Sequence, residues 1–346
     1  MFKLLKQFLF LLNLLVLLAL LLSYVSSSVD PRVFPYLHFF SLSYLVWLLI
    51  ACFFCFVWLL LKFKYLLINL LVIAIGLKTH KNNFNFSTQN ENDEGLRVAS
   101  FNSQGLGQAV QGNFDEIIAY AKKEKLDVIS ILEYKTKHDH KPANWYSQFV
   151  PFKDDGLVRP GIKLLSKYPI VKAQKIDFDK TKGNMAIQFE INIKGQKVAI
   201  FAVHLETNSV QRLDYQKMKK PVLDSSYIFH AKNLSQKLSR QVATRSLQSK
   251  TIINKIKETE IPYLVMGDFN DVPSSFVYQQ FTPYTSDAFL SKGFGWGPTY
   301  LKPFPIFRID YILYSKEFTC NCYFSSQEIY SDHKLVGANL SLDGIH

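Results

Sequence analysis

Hydrophobic positions are collected at the start of this chain. From Met1 to about Gly76 some two positions in three are Leu, Phe, Val, Ile, Tyr or Trp; from Lys78 onward apolar residues come in short runs separated by polar ones. A membrane span needs roughly 20 apolar residues to cross about 30 Å of hydrocarbon. Residues 4–25 meet that length, interrupted by Lys6, Gln7 and Asn13, and residues 36–61 meet it again. Pro31 and Pro35 between them suit a non-helical connection. Residues 65–77 make a shorter run of 13, a length open to a short span, an interfacial helix or a re-entrant segment. The pattern predicts a transmembrane region of two to three helices over 1–78. A polar linker over 79–95, rich in Asn, Gln, Glu and Asp, and a globular domain over 96–346 follow it.

Within the globular part, short apolar runs at 96–101, 127–132, 161–166, 170–176, 198–205, 263–267, 309–314 and 335–340 predict strands, and 185–193 alternates apolar and polar residues. Phe114, Ile117, Ile118 and Ala121 recur at helical spacing behind Asn113 as N-cap. Residues 232–258 lack Pro and Gly and predict a long helix. Strands dominate and helices come at unequal intervals. That order predicts an α+β fold, with β-sheets packed on each other and helices outside.

Charge adds an orientation. Of 40 Lys and Arg and 28 Asp and Glu, seven basic residues and one acidic residue precede position 82, leaving a net of +6 for the remainder. A positive surface suits an anionic substrate, although a merely solvated basic face accounts for the number equally well. Lys3 and Lys6 place the N-terminus inside, as do Lys62 and Lys64 the second turn, while the first loop carries Arg32 balanced by Asp30. A spanning third segment then leaves the globular domain extracytoplasmic; Lys78 and Lys81 pull the other way. A cleaved signal peptide ending near Ser26–Ser28 is a rival for the first span and leaves that parity unchanged. The four cysteines, Cys52, Cys55, Cys320 and Cys322, lack a second metal-ligand pair and fix no redox compartment.

Candidate chemistry gathers at the ends of the apolar runs: Asn102, Glu133, His204, Asp268 with Asn270, Asp310, and Asp332 with His333. Any one of these suits a strand-end cap. Six such places in one domain predict convergence at a sheet edge. Carboxylates and amides without a thiolate cluster suit a hard cation such as Mg²⁺ or Mn²⁺. The histidines lack H-E-x-x-H spacing, no G-K-[ST] phosphate loop occurs, and no G-x-S-x-G elbow occurs.

The pieces S-F-N at 100–102, I-L-E at 131–133, V-H-L at 203–205, G-D-F-N at 267–270, R-I-D-Y-I-L at 308–313 and S-D-H at 331–333 together resemble the endonuclease/exonuclease/phosphatase superfamily. The resemblance spans about residues 96–342. K-Y-P at 167–169 and D-F-N-D-V-P-S at 268–274 resemble bacterial members with an N-terminal membrane region. It implies a four-layered α/β sandwich like deoxyribonuclease I, two packed mixed sheets flanked by helices. It implies a Mg²⁺-dependent (or Mn²⁺-dependent) phosphoesterase with Glu133 as principal metal ligand and Asn102 and Asp332 in the metal site. Asp268 would orient or deprotonate the attacking water, Asn270 would hold it or a phosphate oxygen, Asp310 would pair with His333, and His204 would contact the phosphate and protonate the leaving oxygen.

Three functions compete. The first is a membrane-anchored nuclease; the second is a lipid-directed phosphodiesterase or phosphatase acting on phospholipid headgroups; the third is an inactive scaffold, which the intact polar set disfavours. The basic loop 212–220 and the aromatic turn 294–296 suit a nucleic acid or an anionic bilayer, and each also suits plain surface. The implied partners are the phosphoester substrate and the lipid bilayer, with no obligate protein partner. Lys163 stands where a small apolar residue is expected, which fits a solvated strand position or control of substrate access, and Gly183-Asn184 fits either a phosphate contact or a β-turn.

Overall fold

The structure, a computed structural model, describes residues 2–87, 95–104, 111–136, 139–152, 159–178, 184–208, 225–302 and 305–342. The basic loop 212–220 and Gly183 lie outside the described residues. The chain forms two compact units.

The first unit takes residues 1–83, 207–247 and 271–279, so it is larger than the apolar quarter that the hydropathy delimits. Its helices are α1 (Phe2–Ser26), α2 (His38–Leu42), α3 (Tyr44–Leu61), α4 (Phe63–Ile75) and α5 (Leu77–Asn83). The second apolar run is thus broken: a 3-10 turn at Pro35–Leu37 and the short α2 precede the long helix. The stretch read as a linker also opens with helix, because α5 continues through Asn83. α1 and α3 are each long and apolar enough to cross a membrane, and α4 with α5, bent by 61°, make a third candidate.

Polar groups inside this apolar bundle find one another. Asn13 and Asn69 exchange side-chain hydrogen bonds at 2.9 Å, and Trp58 Nε1 donates to Asn13 Oδ1 at 2.7 Å. Such bonds join helices where no water competes. Leu11, Leu15, Phe53, Phe56, Leu67 and Leu71 point outward and exposed, a face suited to hydrocarbon. At the far end of the bundle His80 Nε2 donates to the Ile73 carbonyl at 2.8 Å, and its Nδ1 accepts from Tyr44 Oη at 2.5 Å. Tyr44 opens α3, whereas Lys62 and Phe63 follow its end. The segment 63–80 therefore runs back along the whole length of α3.

The loop between α1 and α3 is stitched to the other parts of this unit. Arg245, fully buried, donates through Nε to Asp271 Oδ2 at 3.2 Å and through Nη1 to Asn208 Oδ1 at 2.8 Å, with Nη2 3.3 Å from His38 Nε2. Ser246 Oγ donates to Asp30 Oδ1 at 2.9 Å, and Ser274 Oγ to the Ser41 carbonyl at 3.0 Å.

The second unit takes residues 84–206, 248–270 and 280–346. Its strands are β1 (Asn85–Phe86), β2 (Leu96–Asn102), β3 (Val128–Thr136), β4 (Tyr146–Pro151), β5 (Arg159–Ser166), β6 (Ile170–Ile176), β7 (Met185–Ile193), β8 (Gln196–His204), β9 (Tyr263–Asp268), β10 (Ser286–Asp287), β11 (Phe294–Gly295), β12 (Asp310–Tyr314), β13 (Phe318–Ser325) and β14 (Val336–Leu342). Two six-stranded sheets have the orders β13-β14-β2-β3-β5-β4 and β10-β12-β9-β8-β7-β6; β1 pairs β11. The pairs β2/β3 and β8/β9 are parallel and the other pairs antiparallel. A parallel pair needs a crossover. Helix α6 (Gln111–Lys123) lies in the first and α7 (Ser225–Lys257) in the second. α6 starts two residues before the Asn113 that the pattern marked as its cap.

Alternation explains the layers. Val98, Leu132, Ile187, Phe189, Ile200, Met266, Ile312 and Ala338 fill one core between the sheets, whereas Ala99, Phe101, Ile129 and Ile131 turn to the outer face and meet Phe114, Ile117 and Ala121 of α6. The result is the expected α+β architecture of two mixed sheets flanked by helices. β4 and β13 carry no strong apolar run and were not expected.

Burial pushes the His38 imidazole down to about 4, with Arg245 adding to the effect and Asp271 opposing it. Below about pH 6.5 the unfolded chain takes up a proton that the folded chain refuses until about pH 4. Stability contributed by neutral His38 is therefore complete above that window and falls on acidification, on the order of 1 kcal/mol per pH unit. Thermal unfolding of the full chain in detergent, at pH 7.5 and pH 5, should show a smaller acid-induced drop for His38→Asn than for the parent.

Candidate active site

Strand direction brings the polar residues together. The parallel register pairs Asn102 with Leu132 and His204 with Asp268, so the C-terminal ends of β2, β3, β8 and β9 share one edge of their sheets. β12 runs antiparallel to β9 and starts there, with Asp310 opposite Asp268. His333 precedes β14, which is antiparallel to β2.

Asp268 is the hub. Its Oδ1 accepts from the Asn270 backbone N–H at 2.7 Å, and its Oδ2 accepts from Asn102 Nδ2 at 3.0 Å and from Asn270 Nδ2 at 3.2 Å. His333 Nε2 lies 3.8 Å and His204 Nε2 4.0 Å from the same Oδ2. On its other ring nitrogen His333 meets Asp310 at 2.9 and 3.2 Å. Asn102 also donates to Glu133 Oε1 at 3.2 Å. Asn184 Nδ2 and Asn270 Nδ2 both donate to the Leu205 carbonyl, at 2.8 and 3.1 Å. Seven of the eight expected residues are thus in one contact network, and Asn184 borders it. Asp332 is not among them: its carboxylate accepts from Ser331 Oγ at 3.2 Å and makes no hydrogen bond or ion pair with Glu133 or Asn102.

Two of these residues occupy the left-handed backbone region, Glu133 at φ 51° and Asn270 at φ 52°. Asn tolerates that conformation; for Glu it costs about 1 kcal/mol or more. Glu133 sits where the β3–β5 register slips between Ile131 and Tyr134, a bulge that re-aims the side chain. It is also the one member of the network whose side chain is about a quarter exposed, 26%.

Charge is balanced within the group. Burial and Asp310 push the Asp268 carboxyl up, against His333 and His204. Burial alone would lower His333; Asp310 and Asp268 outweigh it and hold the imidazole protonated. Burial would raise Glu133, but His204, Asn102 and His333 together pull it down to about 2. His204 is likewise raised, burial being overcome by Glu133 and Asp268. Although buried, neither of its ring nitrogens makes an aligned hydrogen bond among the described residues; Nε2 only approaches Glu133 Oε1 to 3.2 Å. Orphaned buried donors are rare in a closed site, and these suit one that an anionic ligand completes.

Three side chains here had no sequence signal. Thr299 Oγ1 accepts from the backbone N–H groups of Ile309 and Asp310 at 3.0 and 3.1 Å, fixing the start of β12. Tyr300 packs 4.9 Å from the His333 ring, and Phe152 stacks on His204 at 6.2 Å.

The geometry agrees with comparisons across known proteins. Residues 99–333 match the endonuclease/exonuclease/phosphatase family. The chain belongs to that family. Its members hydrolyse phosphoester bonds and are generally divalent-metal dependent. Residues 6–83 match a domain of unknown function (DUF8431). No curated protein matches the chain. Among solved structures, the human Nocturnin catalytic domain with bound sulfate anion is 18% identical and has a TM-score of 0.54, covering 76% of this chain and 98% of that one. A family protein from Leptotrichia buccalis C-1013-b is 14% identical with a TM-score of 0.52 (71% and 100% covered), and one from Bacteroides vulgatus is 18% identical with 0.51 (72% and 100%). At these identities the likeness is one of fold.

Donor chemistry fits the family's divalent ion. Glu133 is ionised and partly accessible, Asn102 stands beside it, and Asp268, Asp310 and His333 bring carboxylate oxygens and a ring nitrogen within 4.8 Å of one another, the nitrogen a ligand only when His333 is neutral. Oxygen donors predominate, as a hard cation requires.

Gly267, the residue before Asp268, is a stringent point. At φ 150° any added Cβ would lie 1.9 Å from the Val203 carbonyl oxygen on β8. Gly267→Ala should destabilise the chain by ~2–4 kcal/mol through that clash and the strained backbone. Urea unfolding followed by near-ultraviolet circular dichroism checks it, and a near-neutral result would refute the close approach.

Proposed function

We propose that this chain is an integral, multi-pass membrane protein and a Mg²⁺-dependent phosphodiesterase of nuclease type, with Mn²⁺ as an alternative ion. The Asp268 hub, with two histidines and two amides turned on one carboxylate, supports this reading more than any other feature. Asp268, buried and raised toward neutral pH, is suited to take a proton from the attacking water that it shares with Asn270. Asp310 holds one nitrogen of His333 and leaves Nε2 directed toward Asp268. His204, charged and without an aligned partner, suits the scissile phosphate and the leaving oxygen. Glu133 and Asn102 would hold the cation, and we extend that role to Asp332 only as the family resemblance implies it. When bound, the ion neutralises charge developing on the phosphoryl oxygens.

A second substrate class, phospholipid headgroups, has one specific observation behind it. Asp271, next in the chain to Asn270, belongs to the same compact unit as the apolar helices. An enzyme so joined to a bilayer meets lipid phosphoesters without diffusion.

For the compartment, the return of 63–80 along α3 supports a third crossing, because His80 reaches Tyr44 at the end of α3 opposite Lys62. The first loop's contacts with Ser246, Arg245 and Ser274 favour the same side for the chain beyond residue 83. With Lys3, Lys6, Lys62 and Lys64 inside, that side is extracytoplasmic.

Full-length protein in detergent should hydrolyse bis(p-nitrophenyl) phosphate with Mg²⁺, stop with EDTA, and recover on adding Mg²⁺ or Mn²⁺. His204→Ala and Asp268→Ala should each lose at least ~100-fold in rate with unchanged circular dichroism. Parental turnover in either variant refutes the roles. Plasmid DNA, RNA, sphingomyelin and phosphoinositides then divide the substrate classes: degradation of lipids alone would remove the nuclease reading.

A C-terminal alkaline phosphatase fusion expressed in a bacterial host should be active, and a C-terminal green fluorescent protein fusion dark. The reverse pattern would place the catalytic domain in the cytoplasm.

A further inference from the structure

β1 and β11 form a two-stranded ribbon that the catalytic geometry does not use. Phe86 pairs with Phe294 in its register, and their rings meet edge to face at 5.6 Å. Both are mostly exposed, 70% and 74%, and Trp296 next to them is 45% exposed. The ribbon is firmly based, since Asn85 Nδ2 donates to the carbonyls of Phe289 and Gly293 at 3.1 and 2.9 Å. Three large aromatics held outward on a fixed base form an apolar patch of the kind that marks an interaction surface.

Chain length says what lies near it. His80 sits level with Tyr44 and Tyr24, at the ends of the two long apolar helices. α5 ends at Asn83, and Phe86 follows three residues later, so at most ~10 Å of extended chain separates them. The patch cannot leave the zone where the third apolar segment emerges. That zone is the headgroup layer, in which Trp and other aromatic rings are enriched. Lys78 and Lys81, exposed on α5, add charge that suits anionic lipid.

We infer that Phe86, Phe294 and Trp296 form an interfacial anchor that inserts into the bilayer headgroup layer beside the third membrane segment. This rests on the membrane-anchored reading above. A tether alone lets the catalytic unit swing; a second contact on the ribbon sets its height and tilt over the bilayer. It thereby also favours substrates carried at that surface over those arriving from bulk water.

The test uses the full chain labelled with 5-fluorotryptophan in nanodiscs of phosphatidylcholine and phosphatidylglycerol. The sequence has four Trp, at 47, 58, 145 and 296; loss of one ¹⁹F resonance in Trp296→Phe assigns the last. Broadening of the Trp296 signal by 5-doxyl lipid, with protection from an aqueous gadolinium chelate, is expected. Phe86→Ser/Phe294→Ser, altering only exposed side chains, should lose the lipid broadening at Trp296 and gain broadening by the chelate. Trp296 exposed to the chelate in the parent protein, or shielded from both agents as beneath a second copy or another protein, overturns the anchor. Trp47 and Trp58 on α3 report separately: if they too escape the lipid label, the membrane-anchored reading itself fails.

Discussion

A buried carboxylate sets the terms for the catalytic unit. Asp268 is fully buried, and an isolated buried charge is among the most unfavourable elements a fold can contain. Its compensation comes from four strand ends at once: Asn102 from β2, His204 from β8, Asn270 beyond β9, and His333 before β14, the last held by Asp310 at the start of β12. None of these is close in sequence to more than one other. The parallel pairs β2/β3 and β8/β9 are what bring them to one edge, and Gly267 lets the second pair close up immediately before the aspartate. The sheet topology and the charge balance are therefore one constraint. A topology that sent any of these strands the other way would take a partner from Asp268.

Much of this was legible in the residues themselves. Polar side chains at the ends of apolar runs announce an edge site, because a strand interior would not tolerate them and a solvated loop would not need a run before them. Asn102, Glu133, His204, Asp268, Asn270, Asp310 and His333 all obey that logic. Asp332 does not, since adjacency to His333 says nothing about which way its own carboxylate points; here it turns to Ser331. Thr299 and Tyr300 were invisible for a related reason: they act from a turn, through two backbone N–H groups and one ring face, and no periodicity marks such positions.

Lys163 shows how a local anomaly can mislead. In a strand otherwise apolar it suggested a solvated position or control of substrate access. It is instead fully buried, paired with Asp139 and set over the rings of Tyr134 and Phe114. Burial lowers its pKa against that partner. The side chain ties the chain after β3 to β5, on the outer face of the sheet that carries Glu133.

Hydropathy delimits the apolar helices but not the compact unit to which they belong. It assigns a residue by its own apolarity, so it could not see that polar segments 207–247 and 271–279 join the same compact unit. Their link is electrostatic: Arg245 and Asp271 are both buried, and each would be a costly orphan without the other and without the first-loop residues around them. Truncation of one partner of a buried pair destabilises far more than its formation stabilises. It follows that removing the first loop would leave Arg245 and Asp271 without a buried neighbour, His38. Asp271 meets Arg245 and His38 within that unit, so the packing of residues 271–279 and that of the first loop beside the apolar helices are energetically one problem.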